Sequence, residues 1–256
     1  MTLQEVLKTL EEYAPLELSD KLVQKMGGYD NSGIIAQVKG DITGIVFTLD
    51  LTDISVQKAI ETGANLIVTH HPAIYAPIKN LDYDSNALLK CLNAGIGVIS
   101  MHLNLDCAKE GIDYYLAKGL GAVKTQIVHD LGNGEGYGRV FETDVTLQSL
   151  KEKYIETFST DKVMIFGSPS KQIERVASFC GSGLDEGELE AAENVDLYVS
   201  SDIKHHVILN ALKRGKSVMQ VTHYSSEMYG FKHFFKWANK KLSEINTVIV
   251  ENDYML

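Results

Sequence analysis

A chain of 256 residues with 45% hydrophobic and 23% charged side chains carries enough apolar material for one large α/β domain or two modest ones, so a disordered polymer is not the expectation. A formal net charge of −10 opposes non-specific attraction to nucleic acid or anionic lipid. No stretch approaches the ~20 consecutive apolar residues of a membrane helix.

Residues 2–13 carry apolar side chains at helical spacing, and Pro15 ends that helix by pushing the residue before it to extended backbone. A second short helix ends near Met26, and Gly27, Gly28 and the run Tyr29-Asp30-Asn31-Ser32-Gly33 supply turn chemistry. Ile42–Leu49, rich in β-branched and aromatic residues, predicts a strand. From here one unit recurs: an amphipathic helix, a glycine turn, an apolar strand, and polar residues at the strand's exit. Helix 53–62 leads through Gly63 into NLIVTHH, helix 86–93 through Gly95 into IGVISMH, and helix 203–213 through Gly215 into SVMQVTH. A less tidy case is VDLYVSSDIKHH, whose strand from Val195 to Ser200 ends at Asp202.

Strands this uniformly apolar suit parallel sheets. The expected fold is α/β: two α/β domains with mostly parallel, helix-covered sheets and the functional site at the carboxyl ends of the strands. The loop LGNGEGYGR, residues 131–139, reads as a domain boundary. It divides the chain into a first domain of 1–130 plus 221–256 and a second of 131–220, with a helix from Ser225 to about Lys241 and a strand Thr247–Glu251 returning to the first sheet.

Of eight histidines, six (His70, His71, His102, His205, His206 and His223) fall at or just past strand ends. Adjacent residues inside a strand face opposite ways, but at a strand exit His70 and His71 can reach one crevice. In MHLNLD an extended backbone would put His102, Asn104 and Asp106 on one side, Asp106 as an oxygen donor and His102 as a ligand or as the group orienting bound water. His223 and Glu227, four apart at a helix start, share a helical face. Each motif has a plainer reading: a buried histidine in a polar loop for the pair, a turn-stabilising amide for Asn104, a helix cap for Asp106, and a dipole-pairing acid for Glu227. Together, His70, His71, Asp106, His223 and Glu227 form a mixed nitrogen and oxygen set suited to Zn, Fe, Mn or Co and too rich in nitrogen for calcium. Five donors exceed the needs of one ion with an open position, so two divalent ions are expected, bridged by Glu227, activating water and favouring an anionic substrate. CGSG, residues 180–183, has the form of a phosphate-cradling turn or a simple tight one, Lys204 reads as a solvated helix start ahead of a phosphate contact, and Cys107 reads as an apolar filler.

PLELSDKLVQKMGGYDNSGI, THHP, HLNLD, CGSG, SSDIKHH and THYSSE stand in the order and approximate spacing of the GTP cyclohydrolase 1 type 2 homologues, or NIF three-like dinuclear metal-centre proteins, which this chain resembles over nearly its whole length. The resemblance implies the same five metal ligands, a toroidal homohexamer with the metal centres facing its cavity, and a nucleotide substrate. Departures from the family pattern are Tyr29 where a tryptophan is common, Ser200-Ser201 where Thr-Gly is usual, and Cys107 in place of a smaller residue.

The expected function is a metal-dependent hydrolase in which activated water attacks carbon, with opening of the GTP imidazole ring and formate release as the form the resemblance implies, and His102 as the catalytic proton-transfer group. Alternatives are a phosphoesterase and a non-catalytic metal-binding or regulatory hexamer. Three cysteines without CxxC spacing, and an N-terminus without a signal-peptide pattern, make a reducing cytoplasm the expected compartment.

Overall fold

The computed structural model describes residues 1–79, 82 and 86–252. In chain order the elements are α1 (Leu3–Glu11), α2 (Glu17–Met26), β1 (Gly33–Ala36), β2 (Gly44–Thr48), α3 (Asp53–Thr62), β3 (Leu66–Thr69), α4 (Ala87–Asn93), β4 (Gly97–Ser100) and α5 (Leu103–Cys107). There follow α6 (Ile112–Gly119), β5 (Gln126–Gly132), β6 (Glu135–Thr146), α7 (Leu147–Phe158), β7 (Met164–Phe166), β8 (Gln172–Ser178) and α8 (Glu186–Ala191). The chain ends with β9 (Leu197–Ser201), α9 (His205–Lys213), β10 (Ser217–Val221), α10 (His223–Lys241) and β11 (Asn246–Ile249). No described helix is long and apolar enough to cross a membrane.

The first compact unit is Met1–Ala108 with Phe231–Glu251. Its sheet runs β1-β4-β3-β2-β11, parallel at every pairing except the antiparallel edge strand β1. Local chemistry sets the helices on it: the Thr2 hydroxyl accepts from the Glu5 N–H while Glu5 reaches back to the Thr2 N–H, and Thr52 and Ser55 repeat the arrangement at α3. Gly63 then takes the left-handed conformation that closes α3. Strand alternation splits the core in two. Val46, Ile67 and Val98 pack with Val56, Ala59, Leu88 and Cys91 of α3 and α4. On the other side Phe47 meets Phe234 and Phe235 of α10 at ring-centroid distances of 6.0 and 5.4 Å, and Tyr13 packs on Phe234 and Trp237.

The second unit is Lys109–Gly230 with Asn252. Its sheet, β5-β6-β8-β9-β10-β7, is parallel through β8, β9 and β10 and antiparallel at its other three pairings. Antiparallel pairing is therefore commoner here than the sequence leads one to expect. One of the three comes from 131–139, read from the sequence as a domain boundary, which forms the turn and following strand of the β5–β6 hairpin: Asn133, Gly132, Gly134, Gly136 and Gly138 all have positive φ. Tyr154 stacks on Phe158 at 4.1 Å, Phe158 packs on Tyr229, and the Tyr154 and Ser225 hydroxyls are 2.9 Å apart, fastening the start of α10 to α7. Beneath the hairpin, Asp113 of α6 and Arg139 of β6 form a buried ion pair at 3.6 Å, and Asp113 accepts the Cys180 N–H. Because α6 packs on this second sheet and the first two turns of α10 pack on α6, α7 and the turn after β8, the units divide at 108/109 and 230/231, whereas the sequence pattern led to 130/131 and 220/221.

Phe234 is fully buried among aromatic rings, so Phe234→Ala should cost about 3–5 kcal/mol in urea unfolding. A loss under 1 kcal/mol would mean that this aromatic layer does not hold the first unit.

Burial pushes the Asp113 carboxyl up to about 6 against the pull of Arg139 and of the N–H groups of Cys180 and Gly138. With the folded value above the ordinary one, its contribution is fully present below pH about 4 and is lost as pH rises through about 6. Wild-type stability should therefore decline relative to Asp113→Asn over that window; parallel pH profiles would contradict it.

Candidate metal centre

In the first unit the donors stand at the exits of the parallel strands, where the last backbone hydrogen bonds of the sheet still hold them. The His70 and His71 N–H groups both reach back to Leu49 O, at 3.2 and 2.9 Å, and the Thr69 hydroxyl donates to His71 O at 2.8 Å. The two rings lie side by side rather than on opposite faces, with centroids 4.8 Å apart, and His102 completes the cluster at 5.2 Å from His70 and 5.8 Å from His71. One donor atom from each of His70, His71 and His102 falls within 4.8 Å of the others. The Asp106 carboxylate lies 3.5 Å from His70 Nε2.

Each of these three rings is oriented through Nδ1. His70 Nδ1 lies 2.7 Å from Met101 O, and since a carbonyl can only accept, that nitrogen holds the proton and Nε2 keeps the lone pair. His71 Nδ1 is 2.7 Å from Asp50, and His102 Nδ1 is 2.6 Å from Asp30. Burial alone would raise the Asp30 carboxyl, but hydrogen bonds from His102, Ser19 and Ser32 outweigh it and hold the group well below the usual carboxylate range. Asp30 is thus a charged acceptor behind His102.

The second unit supplies the same arrangement. His223 opens α10 directly after β10, with its Nδ1 2.5 Å from Asp202 at the exit of β9. Its Nε2 faces Glu227 Oε1 at 2.9 Å, one helical turn along and buried. Asp202 adopts a left-handed backbone, φ 50°, which aims its carboxylate back at the ring.

The i to i+4 reading of His223 and Glu227 holds. MHLNLD, however, is not extended: α5 begins at Leu103, so His102 and Asp106 share a face through helical spacing, while Asn104 is buried and donates to Ala14 O at 2.8 Å. Asn104 is an internal brace, and Cys107 is buried as filler. His205 and His206 open α9 and are exposed, with His206 only 3.9 Å from Glu186, so they stand apart from the donor groups. The acceptors Asp50, Asp30 and Asp202 were not read as such from the sequence. The only signal available was that each also sits at a strand exit or in the glycine turn before β1.

Imidazole nitrogens with their second nitrogen tied to an acceptor, beside buried carboxylates, are what a borderline transition metal or zinc requires. The donor chemistry therefore fits such an ion, and the fold and its strand-exit donors define an α/β protein with groups able to hold metal. Residues 1–254 match the profile of the Duf34/NIF3 family (NGG1p interacting factor 3), and the chain belongs to that family. It is 26% identical over 236 residues to a GTP cyclohydrolase 1 type 2 homolog of Clostridium acetobutylicum, covering 89% of this chain and 85% of the relative. To a protein of the same name from Mycoplasmopsis pulmonis it is 32% identical over 212 residues, covering 80% and 82%. In fold it resembles the Staphylococcus aureus hypothetical protein SA1388, with TM-score 0.84, 23% identity and coverage of 99% and 97%. It also resembles reduced HcgD of Methanocaldococcus jannaschii, with TM-score 0.81, 25% identity and coverage of 98% for both chains.

If the carboxylates behind the rings orient them, Asp50→Ala should weaken metal binding about 10- to 100-fold in chelator competition while leaving thermal unfolding of the metal-free protein within a few degrees. Unchanged affinity would reduce Asp50 to a surface acid.

Proposed function

We propose that His70, His71, Asp106, His223 and Glu227 are ligands of two divalent ions, Zn, Fe, Mn or Co, in a metal-dependent hydrolase acting on a small anionic substrate. The observation that supports this most is the common orientation of the imidazoles: each proposed histidine ligand has Nδ1 engaged by a carbonyl or carboxylate acceptor and Nε2 turned away from it. A structural histidine has no need of that bias. Two bound dications would act as Lewis acids, lowering the pKa of water and neutralising substrate charge.

The chain's own part follows from its side chains. The strand exits hold the donors in place, Glu227 and Asp106 supply negative charge, and His102, backed by the ionised Asp30, accepts or returns a proton at Nε2. GTP, which the relatives' shared name carries, is the proposed substrate, with ring opening and formate release as the reaction. Supporting this choice is the relatives' shared name over most of the chain. The proposed assembly is a homohexamer, to be checked by sedimentation.

Elemental analysis of purified protein should find about two metals per subunit, falling sharply in Glu227→Ala. His102→Ala should keep its metal and lose formate release from GTP. A wild type that takes up no metal sinks the reading altogether. Metal-loaded protein that leaves GTP intact removes the substrate, and phosphate release instead of formate identifies a phosphoesterase.

A further inference from the structure

In the turn 180–183 of the second unit, the backbone of Cys180 and Gly181 is fastened on every side. The Cys180 N–H donates to Asp113 at 3.1 Å, and Cys180 O accepts from the Tyr137 hydroxyl at 2.6 Å. The Gly181 N–H donates to Ser226 Oγ at 3.0 Å, and Gly181 O accepts from the Ser200 hydroxyl at 2.9 Å and the Ser201 N–H at 3.0 Å. Both polar backbone groups of two successive residues are thus tied to β6, α6, β9 and α10. A turn that only had to reverse the chain would leave most of them to solvent.

What the fastening achieves is visible at Gly181. Its φ is +57°, and a Cβ built there would lie 2.6 Å from Glu227 Oε1, 3.2 Å from His223 Nε2 and 3.4 Å from His223 Cε1. The bare α-carbon is therefore the wall against which the Glu227 carboxylate and the metal-facing edge of His223 rest. Two residues on, a Cβ at Gly183 would meet the Tyr137 hydroxyl at 1.7 Å, so the group that grips Cys180 O is itself admitted only because 183 is glycine. The i to i+4 spacing in α10 brings His223 and Glu227 together but leaves the χ angles of a glutamate free. The turn removes that freedom.

Resting on the metal-binding reading above, we propose that the Cys180–Gly183 turn is a positioning shelf for the second-unit ligands, with Gly181 setting the carboxylate of Glu227 and Tyr137 and Asp113 acting through the turn. Substrate phosphate need not enter it, since the Cys180 and Gly181 N–H groups are already used.

Gly215 supplies the control. It has φ +75° and no atom within 4 Å of a built Cβ, so Gly215→Ala carries the same left-handed backbone penalty without touching a ligand. Cobalt(II) is the probe, with affinity read by chelator competition and geometry by the visible absorption of the bound ion. Gly181→Ala should weaken cobalt binding about 10- to 100-fold and alter the absorption bands, while Gly215→Ala leaves both as in wild type. Tyr137→Phe, which keeps the ring and loses the donor to Cys180 O, should shift both readouts in the same direction by a smaller factor, and it stands in if Gly181→Ala fails to fold. If Gly181→Ala matches Gly215→Ala, or if Tyr137→Phe leaves the cobalt spectrum and affinity unchanged, the shelf is overturned while the metal reading survives. If wild type binds no cobalt, zinc, iron or manganese, both fall together.

Discussion

A neutral imidazole offers a lone pair to a cation only when its other nitrogen keeps the proton, and the arrangement at both groups of donors depends on this constraint. The chain meets it four times. Met101 O, Asp50, Asp30 and Asp202 each stand behind one ring, and each comes from a strand exit or the turn before β1. The strands must therefore end together, in register, for acceptor and ring to meet. Thr48 pairs with Thr69 and Thr69 with Ser100 across β2, β3 and β4, which places the residues that follow them side by side. In the second unit Ser201 opposite Val221 does the same for Asp202 and His223.

Holding carboxylates near other polar groups in a buried setting is costly. Glu227 is almost fully buried, as is Asp106. The surrounding apolar structure offsets that cost: the β2–β3–β4 core and the Phe47–Phe234 layer lie beneath one group of donors, and the Tyr154–Phe158–Tyr229 packing lies beneath the other. A bound dication would add to this by replacing the mutual repulsion of lone pairs with attraction, so ligand geometry and stability are linked through the same residues.

Much of the fold was legible because local signals agreed with packing. α3 was readable to its bounds from its amphipathic spacing and Gly63 after it, and the apolar strands β2, β3, β4, β9 and β10 fell where uniform hydrophobicity placed them. The hairpin was not, since a run of glycines reads as a break between domains unless one knows that left-handed residues also build tight β turns. MHLNLD misled for a different reason: period-two polarity and a single helical turn both place His102 and Asp106 together, and only the neighbouring structure decides between them. The candidate donors were legible as residue types at strand ends. Their acceptors were not, because Asp30 and His102 are 72 positions apart and Asp50 and His71 are 21 apart, and no local pattern encodes those pairings.

The same distinction explains why a glycine can matter as much as a histidine. CGSG read as either a phosphate turn or a plain connection, readings that ask what its atoms bind. Its N–H groups are spent on Asp113 and Ser226, which leaves shape as what it can offer. The absence of a side chain at Gly181 lets backbone approach the Glu227 carboxylate more closely than any other residue would allow. In a helix the ligand's position along the axis is set by sequence spacing, but its carboxylate remains free to swing until something rigid lies against it. Here that something is main chain, which is stiffer than a second side chain and has no proton of its own to lose.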